Sequence, residues 1–165
     1  MSQTVHLIMS ISRNGVIGQN GQIPWELPDE QKRFRTLTLG HVVVMGRKTW
    51  ENLRFRPLPG RDCVILTRDK NYKAVNAEVF HSFTEILKSY PDREIWVAGG
   101  ESIFDLAQHH AHQLHLTVID GVFEGDAKFT LKREIASSEN EVMQEYEDPE
   151  SGAVLTVTAV TATFV

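Results

Sequence analysis

Two kinds of residue in this chain are placed for chemistry: one acid on an apolar stripe, and three sets of glycines, hydroxyls and cations at the ends of strand-like runs. The segment Pro28-Asp29-Glu30-Gln31-Lys32-Arg33-Phe34-Arg35-Thr36-Leu37 reads as a helix opened by proline. At about 100° per residue, Leu27, Phe34 and Leu37 share one side, while Asp29, Lys32, Arg33 and Arg35 take the other. Glu30 falls inside the apolar stripe. A buried carboxylate without a partner costs several kcal/mol, so a protein cation or a ligand must meet it. A slight rotation of the helix would instead leave Glu30 in water.

The glycine-bearing strand ends favour phosphate. In Val97-Ala98-Gly99-Gly100 the two glycines let a backbone approach a pyrophosphate, and the following helix offers free N–H groups; the bland alternative is a tight turn. Val44-Met45-Gly46-Arg47-Lys48-Thr49 repeats strand, glycine and helix start with two cations. It is not a Walker motif, because Gly40 is six positions before Gly46 and Arg47 stands where the lysine is required. Leu66-Thr67-Arg68 adds a third strand end with a hydroxyl and a cation. Open α/β sheets bind ligands beyond the carboxyl ends of their strands, so three such ends suit a dinucleotide. Arg47, Lys48 and Arg68 favour a 2′-phosphate, hence NADP over NAD.

Other candidates carry less. Gly15, Gly18 and Gly21 recur at every third position, without the spacing of the dinucleotide fingerprint, and suit either a lid over a site or a plain connector. His109, His110 and His112 lie at a helix end, where histidine is common, and do not complete a ligand set, so no metal is expected. No nucleophile stands beside a base. The single Cys63 lies in a strand-like run and reads as a buried, unreactive thiol, in keeping with a reducing cytosol.

These residues need elements to hold them. Strand patterns cover Val5–Ile11, Val42–Met45, Cys63–Thr67, Ala77–Phe80, Ile95–Ala98 and Leu114–Ile119. Helical patterns lie between them: the Glu30 helix, a stretch from Gly46 through Leu53, a capped helix opening at Ser82-Phe83-Thr84-Glu85 and running to Tyr90, and Glu101–His110 with Ile103, Phe104, Leu106 and Ala107 inward. Ser12–Glu26 reads as loop. The alternation implies parallel strands joined by crossover helices. The last quarter differs: Glu141–Glu147 and Val154–Val165 flank the turn cluster Pro149-Glu150-Ser151-Gly152 and read as an antiparallel pair. The expected fold is α/β, doubly wound, with an antiparallel C-terminal edge.

Composition bounds the partners. A chain of 165 residues has the size of one domain with a real core. A net charge of −5 argues against a nucleic-acid partner, and no apolar run has the length of a membrane span. The start has no signal-peptide pattern. A soluble globular protein of a reducing cytosol is the expectation.

Five ordered segments resemble the dihydrofolate reductase family: Ile23-Pro24-Trp25-Glu26-Leu27-Pro28, Val44 to Glu51, Arg56-Pro57-Leu58-Pro59-Gly60-Arg61, Val97 to Phe104, and Glu124-Gly125-Asp126. The resemblance spans nearly the whole chain. It implies a single domain with a mostly parallel eight-stranded sheet and helices on both faces. It implies hydride transfer from NADPH to C6 of 7,8-dihydrofolate with protonation at N5, giving tetrahydrofolate for one-carbon metabolism. It also implies dihydrofolate and antifolate inhibitors as small-molecule ligands, and a monomer.

The resemblance further implies roles. Glu30 would hold the 2-amino group and N3 of the pterin, with Thr117 as its partner and the N5 proton arriving through water. Ile8, Ser10, Phe34, Leu53 and Leu58 would line the pterin and benzoyl pocket. Arg61 would hold the glutamate-tail carboxylate, with Arg35 and Arg56 adding positive potential. Arg47, Lys48, Thr49, Thr67 and Arg68 would bind the adenosine half of NADPH. Gly46, Ala98 and Gly99 through Ile103 would cradle the rest, with Gly99 and Gly100 joined by a cis peptide. Ser10, Ile17, Gly18 and Phe104 would stand at the nicotinamide. Asn14–Trp25 would be the lid, with Ile23 near the ring and Trp25 holding an ordered water. The chain departs from the family pattern at several places. Glu30 stands where bacterial members more often have aspartate, and Gln31 where an apolar residue is common. Glu101 follows the glycine pair, where its charge must turn away from the pyrophosphate. Phe104 replaces a frequent tyrosine, and Leu53–Pro57 is one residue longer than usual. Two other functions suit parts of this pattern: the pyrimidine reductase of riboflavin synthesis, and a non-catalytic nucleotide-binding module. Neither needs the Glu30–Thr117 pair or Arg61.

Overall fold

The structure, a computed structural model, describes residues 2–165. Strand β1 (Thr4–Ser12) lies in the middle of the sheet because its residues alternate between two cores. Val5, Leu7 and Met9 enter one apolar cluster and Ile8 enters the cluster on the opposite face. β3 (Val42–Gly46) is buried along its whole length, as expected of a strand covered on both sides. β4 (Asp62–Leu66), β5 (Glu78–Phe80) and β6 (Glu94–Val97) complete the left half, and β7 (Gln113–Ile119), β9 (Ile135–Glu147) and β10 (Val154–Phe164) the right. The order is β5-β4-β3-β6-β1-β7-β10-β9. All pairs from β5 to β7 are parallel; β7–β10 and β10–β9 are antiparallel. The doubly wound, mostly parallel eight-stranded sheet with its antiparallel edge is as the sequence implies.

Helices cover both faces. α1 (Pro28–Thr38) and α2 (Arg47–Glu51) supply Phe34, Leu37 and Trp50 to the Ile8 side. α3 (Phe83–Ser89) and α4 (Glu101–Ala107) supply Phe83, Ile86, Phe104 and Ala107 to the other. α3 is capped as expected, with Ser82 Oγ accepting from the Glu85 N–H at 3.1 Å. Cys63 is buried, and burial pushes its thiol pKa up.

Four elements depart from the sequence reading. The segment read wholly as loop contains β2 (Val16–Gly18), which pairs antiparallel with β8 (Ala127–Lys128) far along the chain, a partner that local pattern cannot reveal. α2 ends at Glu51 rather than Leu53, because the Leu53 N–H turns back to the Trp50 carbonyl at 3.2 Å. α4 ends at Ala107 and tightens into a 3₁₀ turn at Gln108–His110. Gln108 is buried there and bonds Thr130 O and the Lys132 N–H, while Leu106, expected inside, is 46% exposed. β9 begins at Ile135 rather than Glu141, since long-range pairing with β10 makes a strand of largely exposed polar residues.

Candidate active site

The parallel register brings the carboxyl ends of β1, β3, β4 and β6 to one edge of the sheet. There the two glycine-bearing strand ends are tied together. The Gly46 N–H donates to Gly99 O at 2.8 Å, and the Ala98 N–H to Val44 O at 2.9 Å. The Gly99–Gly100 peptide is cis, and Gly99 has φ 119°, a conformation that side chains disfavour. A Cβ on Gly99 would come within 3.3 Å of the Phe104 ring, and one on Gly46 within 3.1 Å of Ile103 Cγ1. Bare backbone at the start of α4 therefore forms a cradle that only glycine permits. Ser102 and Lys48 are exposed beside it and Thr49 is half-buried.

The cations at this edge are not equivalent. Arg47 Nε meets Glu51 at 3.2 Å, its Nη1 meets Asp69 at 3.2 Å, and its guanidinium lies over the Tyr72 ring. Lys48 and Arg68 have no ion pair among the described residues. The cations left for a phosphate are thus Lys48 and Arg68, with Arg47 held by the chain's own acids. Thr67 Oγ1 accepts from the Asp69 N–H at 3.2 Å and turns the chain outward after β4. Glycine cradle, hydroxyls and free cations together fit a dinucleotide phosphate.

The acid lies on the Ile8 face. Glu30 is half-buried in the first turn of α1, and desolvation holds its carboxyl above the usual carboxylate range against the weaker pull of Arg33. It has no ion-pair partner among the described residues. Thr117 is buried on β7, in register between Ser10 of β1 and Ala159 of β10. Thr117 and Glu30 make no direct hydrogen bond, so the pairing expected of them is not formed by the protein alone. Ser10 is occupied: the Trp25 indole N–H donates to its Oγ at 2.7 Å. Ile8, Phe34, Leu53 and Leu58 belong to one apolar cluster, and all but Ile8 are half-buried, leaving apolar surface beside the acid.

Arg61 lies beside the Phe34 end of this cluster. Its Nε donates to Pro59 O at 3.0 Å and its Nη1 to Thr38 Oγ1 at 3.3 Å, and the guanidinium reaches over the Phe34 ring. It meets no carboxylate among the described residues, so it is a fixed cation with its charge unanswered. Arg35, Arg56 and Gln31 are exposed.

The segment from Asn14 to Trp25 is stitched down on two sides. Asn14 Nδ2 donates to Phe123 O at 2.9 Å, and the Phe123 N–H returns to Asn14 Oδ1 at 3.1 Å. Asn52 Nδ2 donates to Gly21 O at 3.0 Å, and the Trp25 ring meets Phe123 edge-on at 4.8 Å. Gly18 is buried and Ile17 packs on the core, whereas Ile23 is 51% exposed.

Comparison with known proteins is decisive at this point. The family model of dihydrofolate reductase matches residues 4–161. The chain belongs to the dihydrofolate reductase family. It is 45% identical over 118 residues to dihydrofolate reductase of Mycobacterium tuberculosis (strain CDC 1551 / Oshkosh), covering 70% of this chain and 71% of that one. It is 39% identical over 144 residues to dihydrofolate reductase type A13 of Escherichia coli, covering 84% and 87%. A solved dihydrofolate reductase from Enterococcus faecalis, complexed with NADP(H) and RAB-propyl, superposes with a TM-score of 0.83 at 28% identity over 98% of this chain and 96% of that one. The activity is that of the dihydrofolate reductase family: NADPH-dependent reduction of dihydrofolate to tetrahydrofolate.

The sequence reading missed one polar group in this dihydrofolate reductase. His6 and His115 are both buried, with His6 Nδ1 and His115 Nε2 3.0 Å apart. His6 Nε2 lies 2.9 Å from Glu94 Oε1, and His41 Nε2 lies 3.3 Å from Glu94 Oε2. Trp96 stacks on His6 at 3.9 Å. His6 shares the side of β1 that carries Ile8 and Ser10, a period-two signal that was available but reads equally well as apolar packing.

Proposed function

We propose that Glu30 is the residue that binds and orients the pterin of dihydrofolate. The supporting observation is a half-buried, desolvated carboxylate with no ion-pair partner among the described residues, on the helix that packs Phe34 and Leu37 against the Ile8 cluster. Its two oxygens match the two N–H directions of the 2-amino group and N3, a bidentate charge-assisted contact. Thr117 stands on the adjoining strand to complete that hydrogen-bond set. Ile8, Phe34, Leu53 and Leu58 sandwich the ring and its benzoyl extension, and Ser10 stands at the pterin's edge toward the cofactor. Arg61 takes the tail carboxylate, and Arg35 and Gln31 flank the entrance.

The cofactor reading is built on the same edge. Gly99 and Gly100 admit the diphosphate, with Gly46, Ala98, Glu101, Ser102 and Ile103 around it. Lys48, Arg68, Thr49 and Thr67 meet the adenosine side, and Arg47 joins them by exchanging an acidic partner for phosphate. Phe104, Ile17 and Gly18 border the nicotinamide end. NADPH held there supplies the reducing equivalent. The chain's own part is to exclude bulk water and to favour protonation of N5. Ile23, exposed at the lid's apex, gains a surface to cover when ligand is present. Trp25 anchors the lid through Ser10 and fixes its distance from the substrate. Glu30 is remote from N5, so its negative charge raises that atom's basicity while water carries the proton.

A monomeric, cytoplasmic enzyme completes the reading. Purified protein is expected to oxidise NADPH only when dihydrofolate is present. Turnover with a ribityl-aminopyrimidine and none with dihydrofolate would overturn it.

A further inference from the structure

The first side chain after the glycine pair is a carboxylate, at a helix start where a second anion is repelled by any phosphate held nearby. Glu101 turns that charge aside. Its Oε1 accepts from the backbone N–H of Lys128, a charge-assisted hydrogen bond. Lys128 is in β8, directly opposite Val16 of β2, the strand at the root of the lid. Neighbouring bonds continue the seam: Phe129 N–H to Gly15 O at 3.0 Å, Asp126 N–H to Gly18 O at 3.1 Å, and Asn20 N–H to Asp126 Oδ2 at 3.1 Å. A second contact joins the same helix to the same segment, where the Phe104 and Phe129 rings meet edge-on at 6.0 Å. The glycine cradle and the lid root are therefore separated by one short strand, and Glu101 is the hydrogen-bonding link between them.

We propose that Glu101 is a positioning residue that clamps β8, and through β8 the root of the lid, to the helix that begins at the cofactor cradle. The inference rests on the cofactor reading given above. The bond serves two ends at once. It commits the carboxylate to Lys128, so the anion stays off the cradle, and it gives the Lys128 N–H, at the end of a two-residue strand, its acceptor. Without it β8 loses its hydrogen-bonded tie to α4 and keeps only the Phe104–Phe129 ring contact, so the strand that pairs with β2 at the start of the lid is held less firmly.

The test compares wild type with Glu101→Ala and Glu101→Gln, by hydrogen–deuterium exchange on the cofactor-free protein and by steady-state kinetics with NADPH and dihydrofolate. In Glu101→Ala the amides of Val16–Gly18 and of Lys128 are expected to exchange about tenfold faster, in line with loss of one charged hydrogen bond. Turnover should fall severalfold through the lid, while KM for NADPH stays level or drops because the anion is gone. Glu101→Gln keeps an acceptor oxygen and should restore most of both losses. Wild-type exchange in β2 and β8 of Glu101→Ala would overturn the clamp, as would a glutamine variant no better than alanine. If alanine prevents folding, the glutamine variant decides by the same exchange readout. If wild type fails to oxidise NADPH with dihydrofolate, the functional reading falls and the exchange data still decide the clamp.

Discussion

Glu30 and the His6–His115 pair both place titratable groups on the face of the sheet that α1 covers, and they are satisfied in different ways. The histidines form a closed chain. Glu94 holds a proton on His6 Nε2, so His6 Nδ1 accepts from His115 Nε2–H, and His41 takes the other Glu94 oxygen. The far nitrogen, His115 Nδ1, is buried without a hydrogen-bond partner among the described residues. Glu30 has no such chain: among the described residues it has no ion pair, only the charge of Arg33 on the same helix, which also packs Phe34 and Leu37 against the Ile8 cluster. One group is answered by the fold and the other is left for a ligand. A buried titratable residue marks a binding site when its partner is missing, and burial alone does not distinguish the two cases.

The largest effect should come from removing the unanswered group. Glu30→Ala is expected to lower dihydrofolate-dependent NADPH oxidation at neutral pH by about 10²-fold or more, the size of a lost proton-delivery aid. Activity should recover as pH falls and substrate protonates without help. The measurement is kcat/KM from pH 5 to 8. Wild-type activity at neutral pH would place the carboxylate outside the mechanism and make Glu30 and His6 alike.

The second test acts on the answered group. Burial, with His6 and Arg33 nearby, pushes the His115 pKa down to about 3, and burial also lowers His6 against the opposing Glu94, with His41 and His112 adding to the lowering. Burial thus favours the neutral form of both rings in the folded protein. An unfolded histidine takes a proton below about pH 6.5, whereas His115 in the fold resists until far lower. Stability is therefore intact above about pH 6.5 and declines as pH falls towards 3. At pH 5 the loss is on the order of 1–2 kcal/mol. Urea denaturation at pH 7.5 and pH 5 measures it, and His115→Asn should flatten the difference. A wild-type profile flat between those pH values would show the pair to be already charged and the contrast with Glu30 misplaced.

What the sequence disclosed follows from the range of the interactions. Glu30 was legible because helical spacing is local: Leu27, Phe34 and Leu37 define the stripe within three turns. The glycines at Gly46 and Gly99-Gly100 were legible because each follows its own strand. The β2–β8 pair was not, since Val16 and Lys128 are joined only by the fold. The same holds for His6 with His115, which meet across β1 and β7. Arg47 illustrates a subtler limit. Its charge and its i,i+4 pairing with Glu51 are local, yet its engagement with Asp69 and Tyr72 depends on where the loop after β4 returns.

The smallest predicted effect separates binding from stability at Glu30 itself. Burial raises its pKa above the unfolded value, so the fold disfavours the ionised form. Near neutral pH the ionised carboxylate opposes folding, and this opposition fades as pH falls through the raised pKa. Glu30→Gln keeps the shape without the charge. It should stabilise the ligand-free protein at pH 7.5 by roughly 1 kcal/mol, about 2–4 °C in Tm for a chain of this size. Near pH 4, where carboxylates in the unfolded chain also take up protons, the gain should shrink towards zero. The same variant should lose activity at neutral pH, because an amide presents one acceptor and one donor where the pterin offers two N–H groups. Thermal melts of both proteins at the two pH values decide the matter. A glutamine variant less stable than wild type at pH 7.5 would mean that Arg33 already answers the charge, and the acid would then belong with the histidines as a residue the fold has satisfied.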